Sequence, residues 1–163
     1  MRALFLLLGL FLAAPALSVT ANAADGDLVI RESKYSVKET IDRLAKELAS
    51  KGVKVAARID HSAGAKSVGM ELKPAEVLVF GNPKLGTPLM QTAPMIGLDL
   101  PMKMLAWQDA NGKVWLAYTS ADALMKRYGV KGKDQVFKTM AGALDKFATA
   151  ASGSSQVLQR GSH

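Results

Sequence analysis

Residues 100–119 read LPMKMLAWQDANGKVWLAYT. Two apolar runs, 100–109 and 113–119, flank Ala110-Asn111-Gly112. Asn-Gly between apolar runs is the strongest short signal for a β-hairpin, because both turn residues tolerate positive φ. With Asn111-Gly112 as a two-residue loop, Trp107 falls opposite Leu116 and Leu105 opposite Tyr118. One face then carries Lys103, Leu105, Trp107, Val114, Leu116 and Tyr118 and is expected to pack on helices. The other carries Met102, Met104, Ala106, Trp115 and Ala117, with Gln108 and Thr119. That second face is more apolar than a water-facing sheet should be. A homodimer is the expected cover, with a hydrophobic ligand groove or one of the chain's own helices as the alternatives.

Working outward, residues 28–32 form a first strand. Ser36-Val37-Lys38-Glu39 is a capping box, and Val37, Ile41, Leu44, Ala45 and Leu48 recur at helical spacing until Gly52 stops the helix. Val53, Val55, Ala57 and Ile59 alternate as a second strand ending at Asp60-His61. Residues 62–69 read as a short helix or turn, and 76–80 as an apolar strand. After the hairpin, Ser120 caps a short helix that stops at Gly129, and a final helix covers 134–151. The order is β-α-β-β-α-β-β-α-α. It predicts an α+β fold, a mostly antiparallel sheet covered on one face by helices.

The stretch after the third strand, FGNPKLGTPLM over residues 80–90, has the Gly81-x-x-x-x-Gly86-Thr87 frame of a phosphate loop. It lacks the lysine that must follow the second glycine, so nucleoside triphosphate binding is excluded as the reading. The same residues suit a turn at Asn82-Pro83 and a helix start with Thr87 as N-cap and Pro88 at N1. Such a start leaves N–H groups unpaired, where Gly86, Thr87 and Lys84 can receive a carboxylate, sulfate or phosphate.

At the N-terminus, Arg2, the apolar run 3–17 and Ala21-Asn22-Ala23 have the order of a secretory leader. Cleavage after Ala23 is expected, giving a periplasmic or secreted protein with no stable membrane insertion. Residues 153–163 read as a linker or tag remnant, which leaves 24–152 as one domain. The chain has 21 basic and 14 acidic residues; setting aside Arg2 and Arg160 leaves 19 against 14, an excess of five. The excess is dispersed and few aromatics accompany it, so no nucleic-acid partner is expected. There is no cysteine, which excludes disulfides and a lipid-anchored cysteine, and only His61 remains once the terminal His163 is set aside. No metal site and no cofactor are expected. Methionines 90, 95, 102 and 104 offer copper(I) ligands in principle, with packing the preferred account.

Catalytic patterns are sparse. Asp60-His61-Ser62 has the residue types of a triad, but consecutive side chains on an extended segment point to opposite faces. Lys103, expected on the packed face near Tyr118, either snorkels to water or pairs with Asp60 or Asp99, or else anchors an anion.

The segments IDHSAGA, VFGNPKLGTPLM, GLDLPMKMLAWQDANGKVWLAY and LMKRYGV together resemble the domain of unknown function 302 (DUF302) family, over residues 29–147. The residues carrying the resemblance are Asp60, His61, Phe80, Gly81, Asn82, Pro83, Gly86, Thr87, Asp99, Leu100, Pro101, Lys103, Trp107 and Tyr118. It implies a compact α+β domain, often dimeric, and no particular reaction.

The reading reached is a domain that binds a small anionic ligand without catalysis, through Asp60, His61, Asn82, Lys84, Thr87, Lys103 and Tyr118. Its alternatives are an enzyme using His61 and Lys103 in proton transfer, and a structural or interaction protein acting through the dimer face. Convergence of His61, Lys103 and Tyr118 on one cavity separates the first two from the third.

Overall fold

The computed structural model describes residues 27–158; the leader read over 1–23 lies outside them. The elements are β1 (Leu28–Ser33), α1 (Val37–Ser50), β2 (Lys54–Asp60), α2 (His61–Ser67), β3 (Ala75–Gly81), α3 (Pro83–Thr92), a 3-10 turn (Pro94–Leu98), β4 (Met102–Gln108), β5 (Val114–Thr119), α4 (Ala121–Arg127) and α5 (Asp134–Ser152). The α+β order matches the expected one with α2 as an additional helix.

Ser36 caps α1 as its capping box requires, accepting from the Glu39 N–H. The five strands form one antiparallel sheet in the order β1-β5-β4-β3-β2. α1 and α5 lie on the same face. Val37, Ile41, Leu44 and Leu48 of α1 and Phe137, Met140, Leu144 and Phe147 of α5 are buried against Leu78, Phe80, Met102, Met104, Ala106 and Leu116 of the sheet.

The hairpin register differs from the expected one by a single residue. Trp107 pairs with Trp115 and Ala106 with Leu116, and the Asp109 N–H donates to the Lys113 carbonyl at 2.8 Å. The loop is therefore Ala110-Asn111-Gly112, three residues long, with Gly112 at φ +82°. Asp109 explains the extra residue. Its carboxylate accepts the Asn111 N–H at 2.8 Å, the Lys113 N–H at 3.0 Å and the Trp115 indole N–H at 2.9 Å.

A one-residue slip exchanges faces. Met102, Met104 and Ala106 join Leu116 and Tyr118 beneath the helices, at 6% exposure or less. Trp115 and Ala117 instead share the outer face with Lys103, Leu105 and Trp107. The expected dimer face of Met102, Met104, Ala106, Trp115 and Ala117 is thus split between the two sides of the sheet.

The chain beyond α5 is part of the packing. Gly153, at φ +67°, turns it back; Ser154 accepts from buried Arg31, and the Leu158 N–H donates to the Ile30 carbonyl at 2.8 Å. The fold thus takes in residues 153–158, which composition alone sets apart as a linker.

Candidate functional site

Phe80-Gly81-Asn82-Pro83 carries the chain from the end of β3 into α3. Asn82 is the N-cap: its side chain accepts the Lys84 N–H at 3.0 Å, and its carbonyl accepts the Leu85 and Gly86 N–H groups, both at 3.0 Å. Pro83 occupies N1, where its missing N–H costs nothing. The helix begins five residues earlier than the Thr87 cap expected from sequence, because Asn82-Pro83 supplies the same chemistry first. Thr87 and Pro88 lie inside α3. The N–H groups of Lys84, Leu85 and Gly86 are used, so this helix start is capped and is not the anion cradle expected there.

The seven expected site residues fall into three places. Asp60 and His61 stand at the β2–α2 junction, where Asp60 accepts the Ala63 N–H at 2.9 Å and a short hydrogen bond from Ser62 at 2.5 Å. Hydrogen bonds from Ser62 and Ala63 hold its carboxyl below the usual range. It is a helix cap, and His61 is an exposed first residue of α2. Asn82, Lys84 and Thr87 lie at the other end of the sheet, since Asp60 pairs with Glu76 at the start of β3 and Lys54 with Gly81 at its end.

Lys103 and Tyr118 are on opposite faces. Lys103 is exposed on the outer side, while Tyr118 is buried on the inner side near Arg31, burial pushing its phenol up. Arg31 is 1% exposed and is held by Asp145 of α5. His61, Lys103 and Tyr118 do not converge. The slipped register separates Lys103 from Tyr118, and the length of the sheet separates both from His61.

What the structure does gather is a cavity of about 910 Å³ between α3 and α5, at the Gly81 end of the sheet. Its floor is Phe80, Met102, Met140, Leu144 and Phe147, with the Phe80 and Phe147 rings edge to face at 6.2 Å between centroids. One wall is Asn82, Pro83, Leu85, Gly86, Thr87 and Met90; Leu100 and Pro101 close the side toward β4. Gly81 permits that closure, since a Cβ there would meet the Pro101 Cβ at 3.1 Å. The opposite wall is Thr139, Gly142 and Ala143 of α5.

The rim is basic. Lys51, Lys54, Lys138 and Lys146 border the opening, and among the described residues Glu47 is its single carboxylate. Glu47 lies 3.9 Å from Lys51; Lys54, Lys138 and Lys146 have no carboxylate within 4 Å among the described residues. An apolar basin under three unpaired ammonium groups can hold a molecule with an apolar body and an anionic end. Of the expected residues only Asn82 and Thr87 line it.

The α5 wall and the lysine rim were missed in the sequence. A signal for them exists. Lys138, Gly142 and Lys146 are spaced i, i+4, i+8 and share one helix face, so the small residues Gly142 and Ala143 leave a hollow between two lysines.

The family model described as Domain of unknown function DUF302 matches residues 29–147. The chain belongs to the DUF302 family. A crystal structure of an uncharacterized conserved DUF302 protein from Bacillus stearothermophilus is similar to it with a TM-score of 0.62 at 20% identity, over 78% of this chain and 97% of that one. That likeness shows the shared fold. The DUF302 domain is also 45% identical over 132 residues to the Fluoride-specific ion channel FluC 1 of Brucella suis biovar 1, covering 78% of this chain and 52% of that protein. It has the same identity to the Fluoride-specific ion channel FluC 2 of Brucella melitensis biotype 1, covering 49% of that protein. The chain spans about half the length of these curated relatives.

Proposed function

We propose that this DUF302 domain is an exported, non-catalytic binding module that holds an anionic ligand with a sizeable apolar body in the α3–α5 cavity. The observation that carries the reading is the pairing of an apolar floor with a rim of unpaired lysines. Apolar burial supplies the affinity and the lysines select the charged end. Inorganic phosphate or fluoride is a poor fit, because the cavity floor is apolar and the N–H groups at the α3 start are already used. The order of Arg2, the apolar run and Ala21-Asn22-Ala23 supports the exported location.

The test is calorimetric titration of dodecanoate and of dodecanol. The acid is expected to bind about fivefold to tenfold more tightly than the alcohol, the equivalent of about two exposed charge contacts of 0.5 kcal/mol or slightly more each. Absence of dodecanoate binding, or equal binding of the two, contradicts the proposal.

The likeness to the fluoride-specific ion channels of Brucella supports placing a DUF302 domain beside a membrane. Among the described residues no helix is long and apolar enough to cross one.

A second reading is assembly through the outer sheet face, favoured by one observation. Trp107 and Trp115 pair across strands there, beside Leu105, Val77, Val79, Ala117 and Ile30, and neither α1 nor α5 covers them. Five strands about 4.8 Å apart and about six residues long give a face of about 24 by 20 Å. With side-chain relief this is the order of the roughly 800 Å² that each partner gives to a standard interface. A second copy of the domain is the proposed partner.

A further inference from the structure

We infer that the 3-10 turn beside the cavity mouth is a bilayer-docking ridge that seats this domain on membranes carrying anionic headgroups. The turn Pro94–Leu98 is rooted by Ile96, which is fully buried, yet Met95 and Leu98 on either side are 66% and 71% exposed. Met90 of α3, 38% exposed, stands next to them; a Cβ on Gly97 would sit 3.5 Å from its sulfur. Three large apolar side chains thus form one ridge, and Met90 also lines the cavity.

The charges around the ridge favour an anionic surface. Lys84 opens α3 and Lys103 leads β4, both exposed, with Lys51 and Lys54 on the far rim of the cavity. The nearby acids are mostly occupied. Arg127 contacts Asp99 at 2.8 Å and Asp27 at 3.3 Å, Tyr128 donates to Asp99 at 2.7 Å, and Glu47 faces Lys51. Asp122 of α4 is exposed and has no such partner among the described residues. Exposed apolar tips with lysines on the neighbouring elements suit insertion into the headgroup boundary, where apolar burial and attraction to anionic lipid add. Three side chains are also too small a surface for a stable protein interface.

This goes beyond the cavity reading, because vesicle binding requires only the exposed ridge and its lysines. The test is co-sedimentation of the mature protein with phosphatidylcholine vesicles and with vesicles that are roughly one-third phosphatidylglycerol. Binding is expected only to the anionic vesicles and should weaken as salt is raised. The double variant Met95→Asp/Leu98→Asp should bind at least about tenfold more weakly, with an unchanged melting temperature. It should titrate with dodecanoate as the wild type does, so loss at the ridge is separable from loss at the cavity. No binding to anionic vesicles, or equal binding by the variant, overturns the inference. So does a change in oligomeric state caused by the variant, since that would make the ridge a contact between copies.

Discussion

At the scale of single residues, the motif FGNPKLGTP contains two glycines with different roles. A Cβ on Gly81 would press on Pro101 at 3.1 Å, whereas one on Gly86 would rest 3.7 Å from the Leu100 Cδ1, an ordinary contact. Gly81→Ala is therefore expected to cost about 1–3 kcal/mol by overpacking. Gly86→Ala, inside α3, should gain about 0.5–1 kcal/mol from helix propensity. Chemical denaturation of the two variants checks both signs. Sequence alone shows that the glycines matter but not which neighbour each one faces, because Pro101 meets Gly81 only through tertiary structure. Asp99 makes a pH prediction. Burial raises its carboxyl, but the Tyr128 hydroxyl and the Arg127 guanidinium more than offset that and hold it below its ordinary value of 3.8. The folded state thus binds this proton more weakly than the unfolded chain. The resulting stability is complete above the ordinary value and is lost as pH falls through the lowered one. Asp99→Asn should be less stable than wild type at neutral pH, and the gap should close on acidification, as followed by thermal melts across pH.

At the scale of elements, the hairpin shows how much one carboxylate can decide. Alternation along each of β4 and β5 is plain in the sequence, and each strand's two faces are read correctly from it. What periodicity cannot reveal is which face of one strand meets which face of the other; that depends on loop length, and Asn111-Gly112 favours a two-residue turn. Asp109 overrides it by gathering the Asn111 and Lys113 N–H groups and the Trp115 indole. Its carboxyl is held below the usual range by the Trp115 indole first, then by the two backbone donors. Asp109→Ala is expected to lower the melting temperature and to red-shift the tryptophan emission as Trp115 loses its tether. An unchanged spectrum would show that the loop holds its register without Asp109. The Arg58 bridge from β2 to α1 and β3 is a second element-level contact. Arg58 holds Glu76, which is 8% exposed, and lies 2.6 Å from Asp42. Arg58→Met strands the Glu76 carboxylate and should cost about 2–3 kcal/mol, while Asp42→Asn should cost less than about 1 kcal/mol.

At the scale of the whole molecule, one sheet separates two surfaces that the sequence presents as one. The inner face builds the core and, at its Gly81 end, the cavity; the outer face carries the paired tryptophans. α1, α5 and the pairing of β4 with β5 follow from capping, periodicity and turn residues, so the fold class is legible, while the sheet order β1-β5-β4-β3-β2 is set by tertiary pairing. The cavity is less so, because it is a gap between α3 and α5 and its lysines belong to three separate elements. If the outer face joins two copies, Leu105→Lys at its centre should convert a dimer to a monomer in analytical ultracentrifugation. A monomeric wild type would remove that assembly. The claim that the α3–α5 cavity binds the apolar body of an anion is tested most directly by Ala143→Trp, which fills the hollow from its half-exposed α5 wall. The measurement is dodecanoate titration of wild type, Ala143→Trp and Lys103→Met, each with its melting temperature. The account predicts that Ala143→Trp keeps its melting temperature while losing dodecanoate binding by about tenfold or more, and that Lys103→Met, on the opposite face of the sheet, binds as the wild type does. Dodecanoate binding that survives Ala143→Trp would contradict it.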